Sequence, residues 1–235
     1  MPNVTVDLLP TSRPCDVAIV IDVLRMTTTA CHLFSRGLHE LAVVADVKAA
    51  RTRASRDEAL LLGERHGVKL PGFDGGNSPL EYERFELSDR RAVLCTSNGS
   101  FAVEAMHEAE HLLLGAIVNA RAVAQRALEL AASGVTLVCA GTEGEISLDD
   151  AFGAGCITRE IVRFNPEVAL SDSAKLVLQL YRNAAAPAQL LRESRHGAQL
   201  ERLGFARDID FAAHADRYDI VPVRTARAPA RFKLA

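Results

Sequence analysis

Three stretches of the chain share one layout, and that layout restricts the fold more than any other feature of the sequence. Each is a short apolar run, then a tight cluster of Asp, Thr, Ser, Asn or Gly, then a helical pattern. Val17–Ile21 leads into Asp22, Arg25, Thr27, Thr28 and Thr29. Residues 92–95 lead into Thr96, Ser97, Asn98, Gly99 and Ser100, and residues 135–139 lead into the segment 141–150. Short apolar runs of this kind predict buried strands. Ligands of an open α/β sheet sit in the crevice beyond the carboxyl ends of its strands. Hydroxyls, backbone N–H groups, an arginine and several carboxylates are therefore expected to converge on one pocket, suited to an anionic substrate and a hard cation.

The rest of the chain continues the alternation. Strands are predicted at 4–9, 17–21, 41–45, 92–95, 112–115, 135–139 and 219–223. Helices are predicted from the Thr cluster to near Gly37, then at 47–62, 101–109, 120–133 with Asn119 as cap, 148–163, 171–184 and 187–204. Residues 63–79 hold five glycines and two prolines and read as a long loop that folds over the pocket as a lid. Such alternation predicts a layered α/β/α fold around a mixed, largely parallel sheet. No linker or low-complexity stretch interrupts it, so residues 1–235 are expected to form one domain.

Bulk properties exclude several classes. Net charge is −3 with no basic block, which argues against a nucleic-acid partner. No apolar run approaches the roughly 20 residues of a membrane helix. The start at Met1 and Pro2 lacks the basic region and apolar core of a secretory leader. Five scattered cysteines form no CxxC pair, as expected of reduced thiols in a cytoplasmic protein. A homo-oligomer is left open.

Each polar cluster has a chemical reading and a plain one. Asp22 after a strand can ligate Mg²⁺ or attack phosphorus, and Arg25 can grip phosphate oxygens with its planar fork; the plain reading is a helix cap with a surface arginine. Residues 96–100 put hydroxyls and free N–H groups at a helix start, which favours a phosphate, or make an ordinary capped turn. No Lys follows Gly99, so this is not a nucleotide-binding P-loop. Glu143, Glu145, Asp149 and Asp150 crowd into ten residues; one or two, Asp150 and Glu143 foremost, could hold Mg²⁺ together with water, while the others cap or face solvent. Glu64 and Arg65, and Asn77 and Ser78, belong to the expected lid. Among seven histidines only His196, after Ser194 and Arg195, stands out as a group that could touch substrate or protonate a leaving oxygen.

Taken together, these blocks resemble the 2-phosphosulfolactate phosphatase (ComB) family. The blocks are Ile21-Asp22-Val-Leu-Arg25 with Thr27, Thr28 and Thr29; Gly63-Glu64-Arg65; Gly72-Phe73-Asp74 with Gly76-Asn77-Ser78-Pro79 and Glu81; Thr96 with Asn98-Gly99; Cys139-Ala140-Gly141 with Gly144, Ser147, Leu148 and Asp150; and Ser194, His196 and Gly197 followed by Leu203-Gly204-Phe205 and Asp208-Ile209. Met26 stands where a small residue is expected, Ser97 and Ser100 replace threonines, and His66 follows Gly-Glu-Arg where Gly is common. None of these departures removes a charged group. The resemblance implies a Mg²⁺-dependent phosphoric monoester hydrolase that converts (2R)-2-phospho-3-sulfolactate to sulfolactate, a step toward coenzyme M, on an α/β fold peculiar to the family. Two alternatives stand beside it: a Mg²⁺ phosphatase of the same fold acting on another small phosphorylated hydroxy acid, and a non-catalytic anion sensor.

Overall fold

The computed structural model describes residues 3–234; Met1 and Pro2 of the start, and Ala235, lie outside them. Eleven strands form one sheet in the order β5-β4-β6-β3-β11-β10-β7-β2-β8-β1-β9. They are β1 (Asn3–Asp7), β2 (Val17–Ile21), β3 (Glu40–Val43), β4 (Leu60–Arg65), β5 (Val68–Lys69), β6 (Arg91–Cys95), β7 (His111–Gly115), β8 (Gly134–Cys139), β9 (Ala169–Leu170), β10 (Pro222–Arg227) and β11 (Ala230–Leu234). Nine α-helices pack among the described residues: α1 (Met26–Ser35), α2 (Val47–Asp57), α3 (Gly99–Ala105), α4 (Ala120–Leu130), α5 (Leu148–Phe164), α6 (Asp172–Asn183), α7 (Pro187–Glu193), α8 (Arg195–Arg202) and α9 (Ala206–Ala212).

Strand β2 displays the layering. Successive side chains of a strand point to opposite faces. Val17, Ile19 and Ile21 join one core cluster, built with α4, α5 and α6. Ala18 and Val20 join a second, built with α1 and α3. Every residue of β2 is buried, as the unbroken apolar run requires of a strand covered on both faces. A smaller third cluster seats α2 through Ala50 and Ala54 against Leu61, Val93 and Phe73. The layered α/β/α architecture expected from the sequence is the one observed.

Two groups of parallel strands make up the sheet. One is β4, β6 and β3; the other is β7, β2, β8, β1 and β9. The antiparallel hairpin β10–β11 joins them, pairing with β7 on one side and β3 on the other, also antiparallel. The two groups therefore run in opposite senses. A flat sheet would put their carboxyl ends at opposite edges. Twist of roughly 20–25° per strand step, accumulated over the five steps from β6 to β2, turns them toward each other.

Several boundaries differ from the sequence expectation. The helix expected over 47–62 stops at Asp57: Glu58 takes a left-handed conformation, φ 50°, and Leu60–Arg65 is a strand. The segment 63–79 is not a free lid. Gly63, Glu64 and Arg65 end β4, β5 turns back on it, and residues 74–75 are tied to β4, where Asp74 N–H donates to Leu61 O and Asp74 Oδ2 accepts from Leu61 N–H. The helix expected over 187–204 is two, broken where Ser194 turns extended and caps α8 through Gly197 N–H. Asn119 does not cap α4 with its side chain; it is a buried strut whose Oδ1 accepts from Ala116 N–H and whose amide donates to Leu114 O and Ile220 O. Helix α9 and strand β11 were not anticipated, and the last strand pair begins at Pro222 rather than Asp219.

Candidate active site

A cleft of about 260 Å³ opens where the carboxyl ends of the two strand groups meet. Asp22 and Arg25 reach it from the end of β2, Glu64, Arg65 and Gly67 from β4 and its hairpin, and Ser97 and Asn98 from the end of β6. Asn77 comes from the segment after β5, Thr142 and Glu143 from the turn after β8, and His196 and Gln199 from α8. The cleft thus gathers most of the expected site residues.

Asp22 lies at its floor, 6 % exposed. Burial first, then the neighbouring charges of Asp149 and Glu64, push its carboxyl up to about 7, against the backbone N–H groups of Met26 and Gly99 beside it. Gly99 is required here. A Cβ at this position would collide with Asp22 Oδ2 and lie 2.7 Å from Met26 Cε. Glu64 is buried and fully engaged: Oε1 accepts from Ser97 N–H at 2.7 Å, and Oε2 from Gly67 N–H at 2.7 Å and Ser97 Oγ at 3.1 Å. It ties the β4 hairpin to the loop after β6. Gly63 lets β4 approach β6 that closely, since its φ is 150° and a Cβ there would strike Cys95 O.

The two arginines differ. Arg25 is 2 % exposed and ion-paired at 2.7 Å with Asp208, which is equally buried. Its other arm donates to Gly67 O, its plane lies 4.4 Å from the Phe205 ring, and Nε is buried without a partner. Asp208 also accepts from Ser78 Oγ at 2.7 Å. Ser78 thus supports the pair rather than lining the cleft. Arg65 donates to the carbonyls of Ala45, Glu64 and Cys95 and to Cys95 Sγ, so its hydrogen bonds leave its charge uncancelled by a carboxylate.

The hydroxyl cluster is turned inward. Thr27 Oγ1 donates to Asp22 O and accepts from Asp22 N–H, and Thr28 Oγ1 donates to Val23 O. Thr96 Oγ1 accepts from Ser100 N–H while Ser100 Oγ accepts from Thr96 N–H. These four buried hydroxyls, expected to meet substrate, build the turns that aim Asp22 and Asn98 instead. Gly99 likewise presents its N–H to Asp22.

Two expected metal ligands are engaged elsewhere. Asp150 lies behind the cleft, its oxygens accepting from Val23 N–H at 2.9 Å and Gly141 N–H at 3.0 Å. Burial and the charges of Asp149 and Asp22 push its carboxyl well above the usual range. It pins the end of β2 to the end of β8. Glu143, 52 % exposed, sits at the mouth and pairs with Arg195. Among the described residues no three His, Cys, Asp or Glu side chains form a metal cage.

What the donor set does offer a hard cation is oxygen. Asn77 Oδ1 is buried, lines the cleft and has no partner; Asp22 is a carboxylate crowded by like charge. Mg²⁺ takes one or two protein oxygens and fills its octahedron with water and substrate phosphate, so these residues fit it. His196, 9 % exposed with Nδ1 buried and unpartnered, faces the same space. Asp208 and Asp149 stand outside the expected site set, although Asp208 falls inside a block shared with the family and Asp149, hydrogen-bonded by Ser147 Oγ at 2.5 Å, falls inside the acidic run. Buried Cys31, Cys139 and Cys156 have thiols pushed up by desolvation, so none of them is a ready thiolate nucleophile.

Comparison with known proteins places the chain in one family. The sequence profile described as 2-phosphosulpholactate phosphatase matches residues 3–227. A probable 2-phosphosulfolactate phosphatase of Deinococcus radiodurans is 43 % identical over 219 residues, covering 92 % of this chain and 91 % of that one. Proteins of the same description from Carboxydothermus hydrogenoformans and Thermus thermophilus are 39 % and 36 % identical, over 87 % and 94 % of this chain and 84 % and 94 % of theirs. No helix among the described residues is long and apolar enough to cross a membrane. The chain belongs to the 2-phosphosulfolactate phosphatase family, whose name denotes a phosphoric monoester hydrolase.

Proposed function

We propose that this chain hydrolyses 2-phosphosulfolactate to sulfolactate and inorganic phosphate with Mg²⁺ as cofactor, the step toward coenzyme M that the family resemblance implies. The observation that carries the reading is Asp22: a carboxylate buried among like charges, facing a cleft that also holds an unpartnered amide oxygen, an uncancelled guanidinium and an unpartnered imidazole. Desolvated carboxylates with shifted titration cluster at functional sites.

Phosphoryl transfer asks a protein mainly for positioning and charge neutralisation. Asp22 and Asn77 Oδ1 are the groups that would hold Mg²⁺, which when bound neutralises phosphoryl oxygens and favours the ionised form of Asp22. Arg65 faces the substrate's negative charge from the β4 side. Arg25, cancelled by Asp208, shapes the wall and supplies the unpaired Nε–H. A water oxygen bonds to phosphorus as the ester P–O bond breaks, and the electron pair leaves with the hydroxy-acid oxygen. His196 donates the proton to that oxygen and is recharged from the proton that the attacking water loses. Glu64 keeps Ser97 and Gly67 in place around the reacting group.

Phosphate release from 2-phosphosulfolactate, with Mg²⁺ and after chelation, tests the reading. Turnover that needs the metal is expected. Turnover indifferent to chelation would remove the cofactor, and binding of the ester without release would leave an anion sensor.

A further inference from the structure

Resting on the phosphatase reading, a second question is what meets the acidic groups of the substrate remote from phosphorus. The cleft lining is poor in free positive charge. Its carboxylates are Asp22, Glu64 and Glu143, its guanidiniums Arg25 and Arg65, and Arg25 is cancelled by Asp208. Even with a divalent cation beside Asp22 these charges only cancel one another, which leaves nothing to balance an ester that bears a sulfonate and a carboxylate as well as phosphate. A further cation is needed at the mouth.

One stands there. Arg195 precedes cleft-lining His196 on α8, and its two arms bind Glu143 and, at 2.6 Å, Glu145 of the turn after β8. Glu143 itself lines the cleft, with His66 Nδ1 3.8 Å from its other oxygen. Arg195 and Glu143 are about half exposed, at 53 % and 52 %, and Glu145 is 73 % exposed. Exposed ion pairs of this kind are worth little and exchange readily. The turn keeps its place without them: Glu143 N–H donates to Asn98 Oδ1, and Thr142 and Glu145 exchange two backbone hydrogen bonds.

We infer that Arg195 is the specificity-determining cation of this site: it trades Glu143 and Glu145 for the acidic group that the substrate carries away from its phosphate. The guanidinium fork that holds two carboxylates holds the oxygens of one sulfonate or carboxylate equally well. Glu143 and Glu145 then act as a placeholder, which a phosphate ester lacking a second acidic group cannot displace.

The test compares kcat/KM for 2-phosphosulfolactate and for ethyl phosphate, with Mg²⁺ present, in the wild type, Arg195→Gln and Glu143→Gln. Arg195→Gln should lower the ratio of the two constants roughly tenfold, the loss of one charge-assisted contact, mainly through KM for the acidic ester. Glu143→Gln, on an exposed turn where folding is not at stake, should raise the ratio about two- to fivefold by removing the competitor. Equal proportional losses for both substrates in Arg195→Gln would mean that the residue only supports α8 and would overturn the inference. So would a fall of the ratio in Glu143→Gln. A wild type that turns over neither ester defeats the phosphatase reading itself, and this inference with it.

Discussion

Alanine at position 208 should cost this protein more stability than most single changes. Asp208 and Arg25 are each 2 % exposed and 2.7 Å apart. Truncating Asp208 leaves a guanidinium buried with only Gly67 O and the Phe205 ring for company, and also strands Ser78 Oγ. Breaking a buried pair by removing one partner costs about 3–5 kcal/mol, because the other charge stays desolvated. In a chain of this size each kcal/mol moves Tm by about 2–4 °C, so the melting point should fall by roughly 6–20 °C. The double variant Arg25→Met with Asp208→Leu removes both charges at similar volume and should recover most of that loss. Asp208→Asn keeps an acceptor for Ser78 and should fall between. Thermal melts followed by far-UV circular dichroism read all three. If Asp208→Ala shifts Tm by less than about 3 °C, or the double variant is no better than the single one, the pair is not desolvated and Arg25 is freer than its cancelled charge suggests.

Asp22→Asn should reduce phosphate release by at least about a hundredfold without lowering Tm, because it removes one of several crowded carboxylates; a melt that falls with activity would make Asp22 structural. Gly99→Ala drives a methyl group into Asp22 Oδ2 and the Met26 side chain, so kcat should drop; an unchanged kcat would contradict the close approach. Burial, then the charges of Arg36 and Arg217, lower His32 from 6.5 to about 4. The folded state keeps it neutral while the unfolded chain binds a proton, so this contribution is present above about pH 6.5 and is lost as pH falls toward 4. Urea midpoints at pH 7 and pH 4.5 should therefore fall further in the wild type than in His32→Asn, and parallel losses would refute the assignment.

Much of this architecture is legible in the sequence, because local pattern carries it. The apolar runs at 17–21, 92–95 and 135–139 are strands, and the cluster after each reaches the same cleft or its floor. Where the reading failed, the deciding contact was distant or the stop signal atypical. Glu58 ends α2 in a left-handed conformation usually taken by glycine, and without a glycine there Leu60–Leu62 looked like one more helical turn. Thr27, Thr28, Thr96 and Ser100 were chemically apt for phosphate, but a hydroxyl serves a turn equally well. Only the positions of Asp22 N–H and Ser100 N–H decide between the two. Arg25 and Asp208 are separated by 183 positions; no spacing rule connects them, and the arginine that looked like a phosphate clamp is spoken for by a carboxylate from another helix.

The hairpin of β10 and β11 sets the order in which this molecule can be completed. Residues 222–234 come after β1 to β9 and α1 to α9 in the chain, yet they occupy the middle of the sheet, between β3 and β7. Without them, β3 and β7 each present an open edge of unpaired backbone groups, the feature that invites pairing with other chains. Without the hairpin the sheet is two halves with half a cleft each, Asp22 on one and Glu64 on the other. The cleft cannot form before the hairpin is seated, and the long sequence span closed by the pairing of residues 41–43 with 230–232 makes that insertion a slow step of folding.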